Sequence, residues 1–456
     1  MKELEERLDH EEAIDSPSSP ETLSVWGLAW PSILNNILFA FVSIVALKAV
    51  GALGTEAVAA VGTGQRIFFF LQAVLMATAT GTHALVARAI GGNKPNEAAE
   101  VTLLSTIVAI FFGLSSALIF WIFGEEIIGA FGLDELSRKL AVDYLQISLS
   151  FVPGFAIMFI VGASLRAAGD VITPLIINLI VNIINVFLLI ALVNGQFGFE
   201  ALGVIGAAYA WGISFTIGSI LSIAIWISNK IVIPMPSIKF YTFERLKQLI
   251  VISVPAGIES VVFNFGLLAY FWIISIYGNE PIAAYNVAIN ILMISFMIGH
   301  GFSIAGATLT GQYLGAENPV EARRSGWKSA RLTVFSMTLV GIIIAVFSKP
   351  ISGYFIDDQE VIRLTVIFLW IFALIQPLMG IEFSLGGALR GAGDTRSPLI
   401  ITMIGLICFR LVFAFLFLIL NMPVEVVFAS LIADYLAKGI LFTLRFKSGR
   451  WVNALN

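Results

Sequence analysis

Long apolar runs separated by short polar segments dominate this chain. A helix needs roughly 20 apolar residues to cross about 30 Å of hydrocarbon. Twelve runs are of suitable length, near residues 27–50, 57–88, 101–124, 140–163, 172–194, 202–228, 249–277, 282–312, 329–348, 364–388, 399–420 and 424–444. A transmembrane barrel would instead show segments of about 10 residues with alternating polarity. The pattern therefore predicts an all-α integral membrane protein with twelve transmembrane helices.

The second half of the chain repeats the first at a constant offset of 224 positions. Leu389–Asp394 closely repeats Leu165–Asp170, and 389 − 165 = 224. The same offset relates further pairs: Pro31 and Pro255, Gly54 and Gly278, Gly91 and Gly315, Pro95 and Pro319, Glu97 and Glu321, Pro153 and Pro377. Six spans per half is an even number, so both halves begin on the same side and the repeats are parallel. We therefore predict two six-helix lobes around a central cleft, with a binding site where the lobes meet.

Composition supports a bilayer protein and divides the chain into four segments. Hydrophobic residues make up 58% and charged residues 12%, against about 25% charged in soluble domains. Residues 1–24 are acidic and polar and are predicted to be a disordered cytoplasmic tail, which accounts for much of the net charge of -4. The N-terminal lobe is predicted at 25–228, a cytoplasmic linker at 229–246, and the C-terminal lobe with a short basic tail at 247–456. Cys408 is the single cysteine, so no disulfide framework is expected.

Basic residues between the spans indicate the orientation in the membrane. Eighteen of them, Arg166 and Arg390 included, lie in segments predicted to be cytoplasmic, whereas five lie on the opposite side. Because cytoplasmic loops carry an excess of Lys and Arg, we expect both termini in the cytoplasm. The prediction is a multi-pass protein of the cell membrane.

Ionisable residues inside spans are few and are the main candidates for function. They are Arg66, Glu259, Glu382, Arg410, Asp434 and Lys438. A carboxylate in a low-dielectric environment is protonated unless a cation comes near. Glu259 and Glu382 are therefore predicted to exchange H⁺ or Na⁺ for a cationic substrate. The alternative is that both carboxyl groups only hydrogen-bond neighbouring helices.

The remaining intramembrane polar residues allow both structural and functional interpretations. Asp434 and Lys438 are one helical turn apart, and a structural ion pair is the favoured interpretation. Arg410 could pair with Asp434 or with one of the glutamates. The neutral candidates for substrate contact are Asn264, Tyr285, Asn286, Asn290, Asn182 and Asn185. Interhelical hydrogen bonding explains most of these neutral residues equally well.

Several classes of activity lack their sequence signals. No Gly-rich phosphate loop with Lys and Ser/Thr is present, so ATP is not expected to drive the protein. The three histidines show no metal-ligand or catalytic-triad spacing, so we expect neither an enzyme nor a resident metal or cofactor. The expected partners are small cationic substrates and the lipid bilayer, without nucleic acid, and the protein is expected to be a monomer. A coupling Na⁺ would bind transiently at Glu259.

These features together resemble the multidrug and toxic compound extrusion (MATE) family. The resemblance rests on the twelve spans in parallel halves, the segment Leu389–Thr395 with its earlier copy, Gly306 followed by Gly311–Ala316, and Glu259 after Pro255. It implies an antiporter that expels organic cations in exchange for Na⁺ or H⁺ by alternating access. Glu259 matches the family's acidic position in the seventh span, and Glu382 lies about one turn from an acidic position that some members carry in the tenth.

The chain departs from this family in its first lobe. Many bacterial members have an aspartate where this chain has Ser43, and some have another near Asn182 and Asn185. The resemblance then implies that coupling depends on the C-terminal lobe. Two other functions stay open: a flippase for a lipid-linked or amphiphilic substrate, and a channel or non-transporting membrane scaffold. A flippase would use cationic residues in the cleft, for which Arg66 and Arg410 are the candidates.

Overall fold

The computed structural model describes residues 23–228, 231–235 and 243–454, and the regular structure in these ranges is helical. The elements in chain order are α1 Val25–Gly51, α2 Thr55–Gly91, α3 Pro95–Gly129, α4 Glu135–Ser150, α5 Val152–Ala167, α6 Ile172–Asn194, α7 Gly203–Ile227, α8 Phe243–Ser275, α9 Asn279–Gly315, α10 Pro319–Phe355, α11 Gln359–Gly391, α12 Arg396–Ile419 and α13 Val424–Lys447. A short 3₁₀ helix follows at Arg450–Asn453.

The prediction of twelve membrane spans is confirmed. Within the described ranges, eleven helices are each long and apolar enough to cross a membrane, and α4 with α5 forms a twelfth span bent by 52°. The bend lies at Phe151, two positions before Pro153 in the first turn of α5. Proline cannot donate a backbone hydrogen bond and clashes with the preceding turn, which favours a break here. The predicted span 140–163 therefore consists of two helices.

The 224-residue repeat extends to the helix boundaries and backbone geometry. Helices α2 and α9 begin at Thr55 and Asn279 and end at Gly91 and Gly315, so both ends are 224 positions apart. The turns between spans are also repeated, with φ of 110° at both Gly54 and Gly278, 57° at Asn93 and Glu317, and 93° and 87° at Gly169 and Gly393. The two halves are therefore copies of one helical plan.

Two compact units divide the chain. The N-terminal unit comprises Leu34–Ala89 and Lys94–Ile250, and its core includes a group of aromatic rings around Phe155. The C-terminal unit comprises residues up to Ile33, Ile90–Asn93 and Val251–Asn456. Its largest core cluster surrounds Phe368, whose ring centroid lies 4.6 Å from Phe372 and 4.3 Å from Phe428.

The predicted tail and linker fall largely outside the described ranges. Disorder was predicted for residues 1–24, of which 1–22 lie outside the described residues. Within the predicted linker 229–246 the structure describes 231–235 and 243–246. Helix α8 begins at Phe243, so the last four linker positions are helical.

Close packing of α11 against α9 yields a stability prediction. A Cβ atom at Gly391 would overlap the backbone of Ala307, whereas one at Gly353 on α10 would meet nothing within 4 Å. We expect Gly391→Ala to destabilise the protein by about 1–3 kcal/mol, the usual cost of overpacking. Gly353→Ala should be neutral or stabilising by up to about 1 kcal/mol, because alanine favours a helix. Thermal unfolding in detergent measures both, and equal stability of the two variants would contradict the close packing.

Candidate functional site in the C-terminal unit

Six ionisable side chains inside the spans of the C-terminal unit form two neighbouring ion-pair clusters. The acids are Glu259 on α8, Glu382 on α11 and Asp434 on α13. The bases are Arg390 on α11, Arg410 on α12 and Lys438 on α13. Intramembrane ionisable groups are costly and are associated with function, so these six residues define the candidate site.

The first cluster joins three helices around the Glu259 carboxylate. Arg390 donates from Nη2 to Oε1 at 2.6 Å and from Nε to Oε2 at 3.3 Å. The Thr402 hydroxyl on α12 donates to Oε1 at 3.0 Å. Glu259 is buried, with 8% of its surface exposed. A bidentate contact between arginine and a carboxylate is among the stronger charge-assisted hydrogen-bond arrangements in proteins.

The second cluster is a chain of four charges. Arg410 pairs with Asp434, with Nε donating to Oδ2 at 2.7 Å. Lys438 Nζ lies 3.3 Å from Asp434 Oδ1 and 3.4 Å from Glu382 Oε1, without an aligned hydrogen bond to either. Asp434 and Lys438 are fully buried and Arg410 is almost fully buried. The ammonium of Lys438 therefore shares its charge between two carboxylates.

Aromatic rings replace water around these buried cations. The Arg410 guanidinium carbon lies 5.7 Å from the ring centroid of Tyr270 and 5.4 Å from that of Tyr435. Lys438 Nζ lies 5.0 Å from the Tyr435 ring centroid and 5.8 Å from that of Phe263. Cation–π contacts of desolvated cations contribute about 2 kcal/mol or more each. The rings therefore help the unit to hold two cations away from water.

A change in helix geometry accompanies the position of Arg410. Residues Ile404–Leu411 in the middle of α12 adopt a π-helix, and Arg410 lies in its last turn. Gly405, in the same segment, lies against Asp434 and Lys438 and leaves no room for a Cβ atom. Single π-helical segments inside α-helices occur frequently at functional sites, which agrees with the charge cluster found here.

Each carboxylate of the site already has an internal cation. Three acids and three bases give 3 − 3 = 0 net charge, with Arg390 on Glu259 and Lys438 on Glu382. The predicted span 364–388 leaves Arg390 in a segment between spans. That boundary is wrong, because the helix continues to Gly391 and Arg390 lies in the last turn of α11. Helical side chains point back toward the helix N-terminus, so its guanidinium reaches Glu259.

Sequence reasoning missed Arg390 and Thr402 as members of the site. Arg390 follows Glu382 by eight positions on the same helix, which places both near one face. That spacing is visible in the sequence, whereas the contact with Glu259 spans 131 positions and that of Thr402 spans 143. The sequence also left the partner of Arg410 open, and the structure pairs it with Asp434.

The neutral residues of the C-terminal unit that were predicted to contact substrate differ in their hydrogen bonds and in their exposure. The Asn264 amide donates to the Ser260 carbonyl at 2.7 Å, and the Asn290 amide donates to the Asn286 carbonyl at 2.9 Å. Both amides therefore bond their own helices. Tyr285 is buried with its ring centroid 6.1 Å from that of Tyr270, next to the second cluster. Asn286 is exposed.

The remaining sequence-predicted candidates lie in the N-terminal unit. Asn182 and Asn185 are buried on α6, while Ser43 and Arg66 are exposed on α1 and α2. The Ser43 hydroxyl donates to the Phe39 carbonyl at 3.1 Å. In the described part of the chain, no group of three or more His, Cys, Asp or Glu residues could hold a metal ion.

The fold and the buried ionisable groups define an integral membrane protein with the features of a transporter. The MatE family model matches residues 31–191 and 255–416, and the two matches begin 255 − 31 = 224 positions apart. The chain therefore belongs to the MATE family of multidrug efflux transporters, and the resemblance seen in the sequence is confirmed. It is a transporter and not an enzyme.

Relatives and solved structures agree with this family. The chain is 31% identical to a probable multidrug resistance protein NorM from Thermotoga maritima, covering 93% of this chain and 92% of that protein. It is 25% identical to the uncharacterized transporter YisQ from Bacillus subtilis, covering 96% and 97% of the two chains. A crystal structure of MATE in complex with MaL6 shares the fold with a TM-score of 0.87 at 18% identity, covering 95% and 97%.

Proposed function

We propose that this transporter exports organic cations in exchange for H⁺ or Na⁺ by alternating access, with Glu259 as the main carboxylate for coupling and substrate. The observation that carries this proposal is the buried Glu259–Arg390 pair, in which the guanidinium of Arg390, a cation of the protein itself, is bound to the Glu259 carboxylate. The name of the Thermotoga maritima relative, a probable multidrug resistance protein, supports export of drugs.

Arg390 acts in this proposal as an internal substitute for the transported cation. Leaving a buried carboxylate without a partner is strongly unfavourable, by about 3–5 kcal/mol. When Arg390 withdraws from Glu259, a proton, an Na⁺ ion or a cationic substrate must therefore replace it. Withdrawal requires movement of the end of α11 relative to α8, because Arg390 and Glu259 lie on these two helices. Ion binding and helix movement are coupled in this way.

The surroundings of Glu259 favour H⁺ over Na⁺. A hard metal cation requires several oxygen ligands. Among the described side chains, only the Thr402 hydroxyl supplies a further oxygen within hydrogen-bond distance of this carboxylate. A proton neutralises Glu259 without any additional ligand. We therefore propose a proton as the coupling ion.

The remaining site residues have supporting roles in the same proposal. Glu382 and Lys438 form a second exchangeable pair, whereas Asp434 and Arg410 keep the interior neutral. Contact with substrate is proposed for six neutral residues: Asn264, Tyr285, Asn286, Asn290, Asn182 and Asn185. The protein is proposed to work as a monomer without ATP, with both termini in the cytoplasm of the cell.

Transport by purified protein in liposomes under separate gradients tests the proposal. We expect a pH gradient alone to drive ethidium transport and an Na⁺ gradient alone to give the rate of protein-free liposomes, because a proton needs no further ligand at Glu259. Transport that requires an Na⁺ gradient would contradict proton coupling. Equal ethidium movement with and without both gradients would contradict antiport.

A flippase activity can be measured in the same liposomes. Arg410, one of two candidate cations for a lipid phosphate, is buried and paired with Asp434. Because its guanidinium is committed to a carboxylate, we expect no flipping of a fluorescent lipid-linked precursor. Flipping without ethidium transport would replace the antiporter proposal.

A further inference from the structure

A cavity of about 680 Å³ lies in the C-terminal unit near the turn that joins α9 to α10, and its lining includes no residue of the two charge clusters. This turn, between Gly315 and Pro319, is at one end of two membrane-spanning helices. Leu23, Val25 and Leu309 contribute apolar side chains to the cavity wall. Trp327 also lines it and packs edge-on against Phe446, with ring centroids 5.5 Å apart. The cavity therefore combines an apolar wall with an aromatic side chain at the end of a span.

Basic side chains on one face of α10 also line this cavity. Arg324, Lys328 and Arg331 follow one another at spacings of four and three residues, which places them on one helix face. All three are exposed. Arg324 pairs with Glu321 at 3.2 Å, whereas Lys328 and Arg331 have no ion-pair partner among the described residues. Two positive charges at the cavity are therefore available to an anion.

The internal repeat provides a comparison for these charges. Subtracting 224 from 324, 328 and 331 gives positions 100, 104 and 107 on α3, which hold Glu100, Leu104 and Ile107. Helix α3 begins at Pro95, which is 224 positions before Pro319, so the helical plan is the same. The fold therefore does not require basic residues here. Their presence on α10 alone indicates a role specific to the second half.

We propose that this cavity binds the headgroup of an anionic phospholipid. Lys328 and Arg331 would contact its phosphate, while the apolar wall receives the beginning of an acyl chain. Basic pockets between transmembrane helices at the membrane surface are suited to anionic lipid headgroups, and tryptophan is enriched at the same depth. The position at a helix end and the mixed apolar and cationic lining both fit an amphiphile with a negative head.

An acidic segment of the chain is the competing occupant. Residues 1–22 carry eight acids, with Glu21 two positions before Leu23. This segment has charge but few apolar residues to match the wall formed by Leu23, Val25 and Leu309. A phospholipid satisfies both parts of the cavity, so we favour the lipid. The test includes the acidic segment as a separate outcome.

Binding of short-chain lipids to the purified full-length protein tests this proposal. Dihexanoyl phosphatidylglycerol should bind more tightly than dihexanoyl phosphatidylcholine. Each basic group near an anionic headgroup contributes about fivefold to binding. The Lys328→Gln/Arg331→Gln variant should therefore bind phosphatidylglycerol about 30-fold more weakly, with phosphatidylcholine binding unchanged. Retained ethidium transport by this variant would show that it is folded.

Two further variants serve as controls for lipid binding: one removes two basic residues elsewhere in the protein, and the other removes the acids of residues 1–22. Arg138→Gln/Lys139→Gln removes two adjacent exposed charges from α4 and should leave phosphatidylglycerol binding unchanged. Equal weakening in this control, or no weakening in Lys328→Gln/Arg331→Gln, would overturn the proposal. Replacing the eight acids of residues 1–22 by Gln and Asn should also leave binding unchanged. If phosphatidylglycerol binds only after that replacement, the acidic segment occupies the cavity and the lipid proposal is wrong.

Discussion

Glu259→Gln is expected to abolish gradient-driven ethidium transport in proteoliposomes. Glutamine keeps the size of the side chain but cannot carry or release a proton at neutral pH. It also removes the charge that holds Arg390, whose Nη2 lies 2.6 Å from Oε1. The exchange between an internal cation and a transported ion then loses its anionic partner. We expect the rate under a pH gradient to fall to that of protein-free liposomes.

The control for this variant is a second acid of the same unit. Glu280 is exposed in the first turn of α9 and lies outside both charge clusters. Glu280→Gln should therefore transport ethidium at the wild-type rate, which shows that loss of any one acid is not sufficient. Size-exclusion chromatography and thermal unfolding establish that both variants are folded. A full response of Glu259→Gln to the pH gradient would remove Glu259 from the coupling step.

Asp434→Ala is expected to destabilise the C-terminal unit by about 3–5 kcal/mol, since it breaks a buried ion pair from one side. Asp434 is fully buried and is the shared partner of Arg410 and Lys438. Its removal leaves two cations with Glu382 as their remaining acid in this cluster. Thermal unfolding in detergent should show a large loss of stability. Exposed Asp357→Ala should change the free energy of unfolding by no more than about 0.5 kcal/mol.

A double variant separates loss of charge balance from loss of packing. Arg410→Met with Asp434→Leu removes one charge of each sign and leaves Lys438 paired with Glu382. Replacing a buried ion pair by apolar residues of similar volume is often neutral or stabilising. We therefore expect the double variant to regain most of the stability lost in Asp434→Ala. A double variant as unstable as the single one would show that packing, rather than charge, makes Asp434 important.

The helical plan could be predicted from the sequence because it depends on local and periodic features. Apolar runs of membrane-spanning length identified the twelve spans, and the 224-position repeat anticipated the matching ends of α2 and α9. The proximity of Asp434 and Lys438 also follows from helical spacing, since residues four positions apart are neighbours on a helix surface. The family could be recognised from the same repeat and its short motifs.

The bend between α4 and α5 shows where local rules are insufficient. Pro153 and Pro377 occupy equivalent positions of the repeat, 224 apart. Pro153 lies in the first turn of α5 after a 52° bend, whereas Pro377 lies inside the continuous helix α11. The cost of proline in a helix can be met by bending or by packing from neighbouring helices. The same residue at equivalent positions of the repeat therefore has two outcomes, a bend in one unit and a continuous helix in the other.

The sequence by itself determined the ionisable groups inside the membrane, with the exception of Arg390, and that the second half holds the acids. Only the tertiary structure decided that Arg390 reaches Glu259, that Thr402 joins them and that Arg410 selects Asp434. The reason is physical: periodicity fixes which side chains share a helix face, whereas contacts between residues 131 or 143 positions apart depend on how helices pack. Long flexible arginine side chains could reach several acids, and only the packed helices select one.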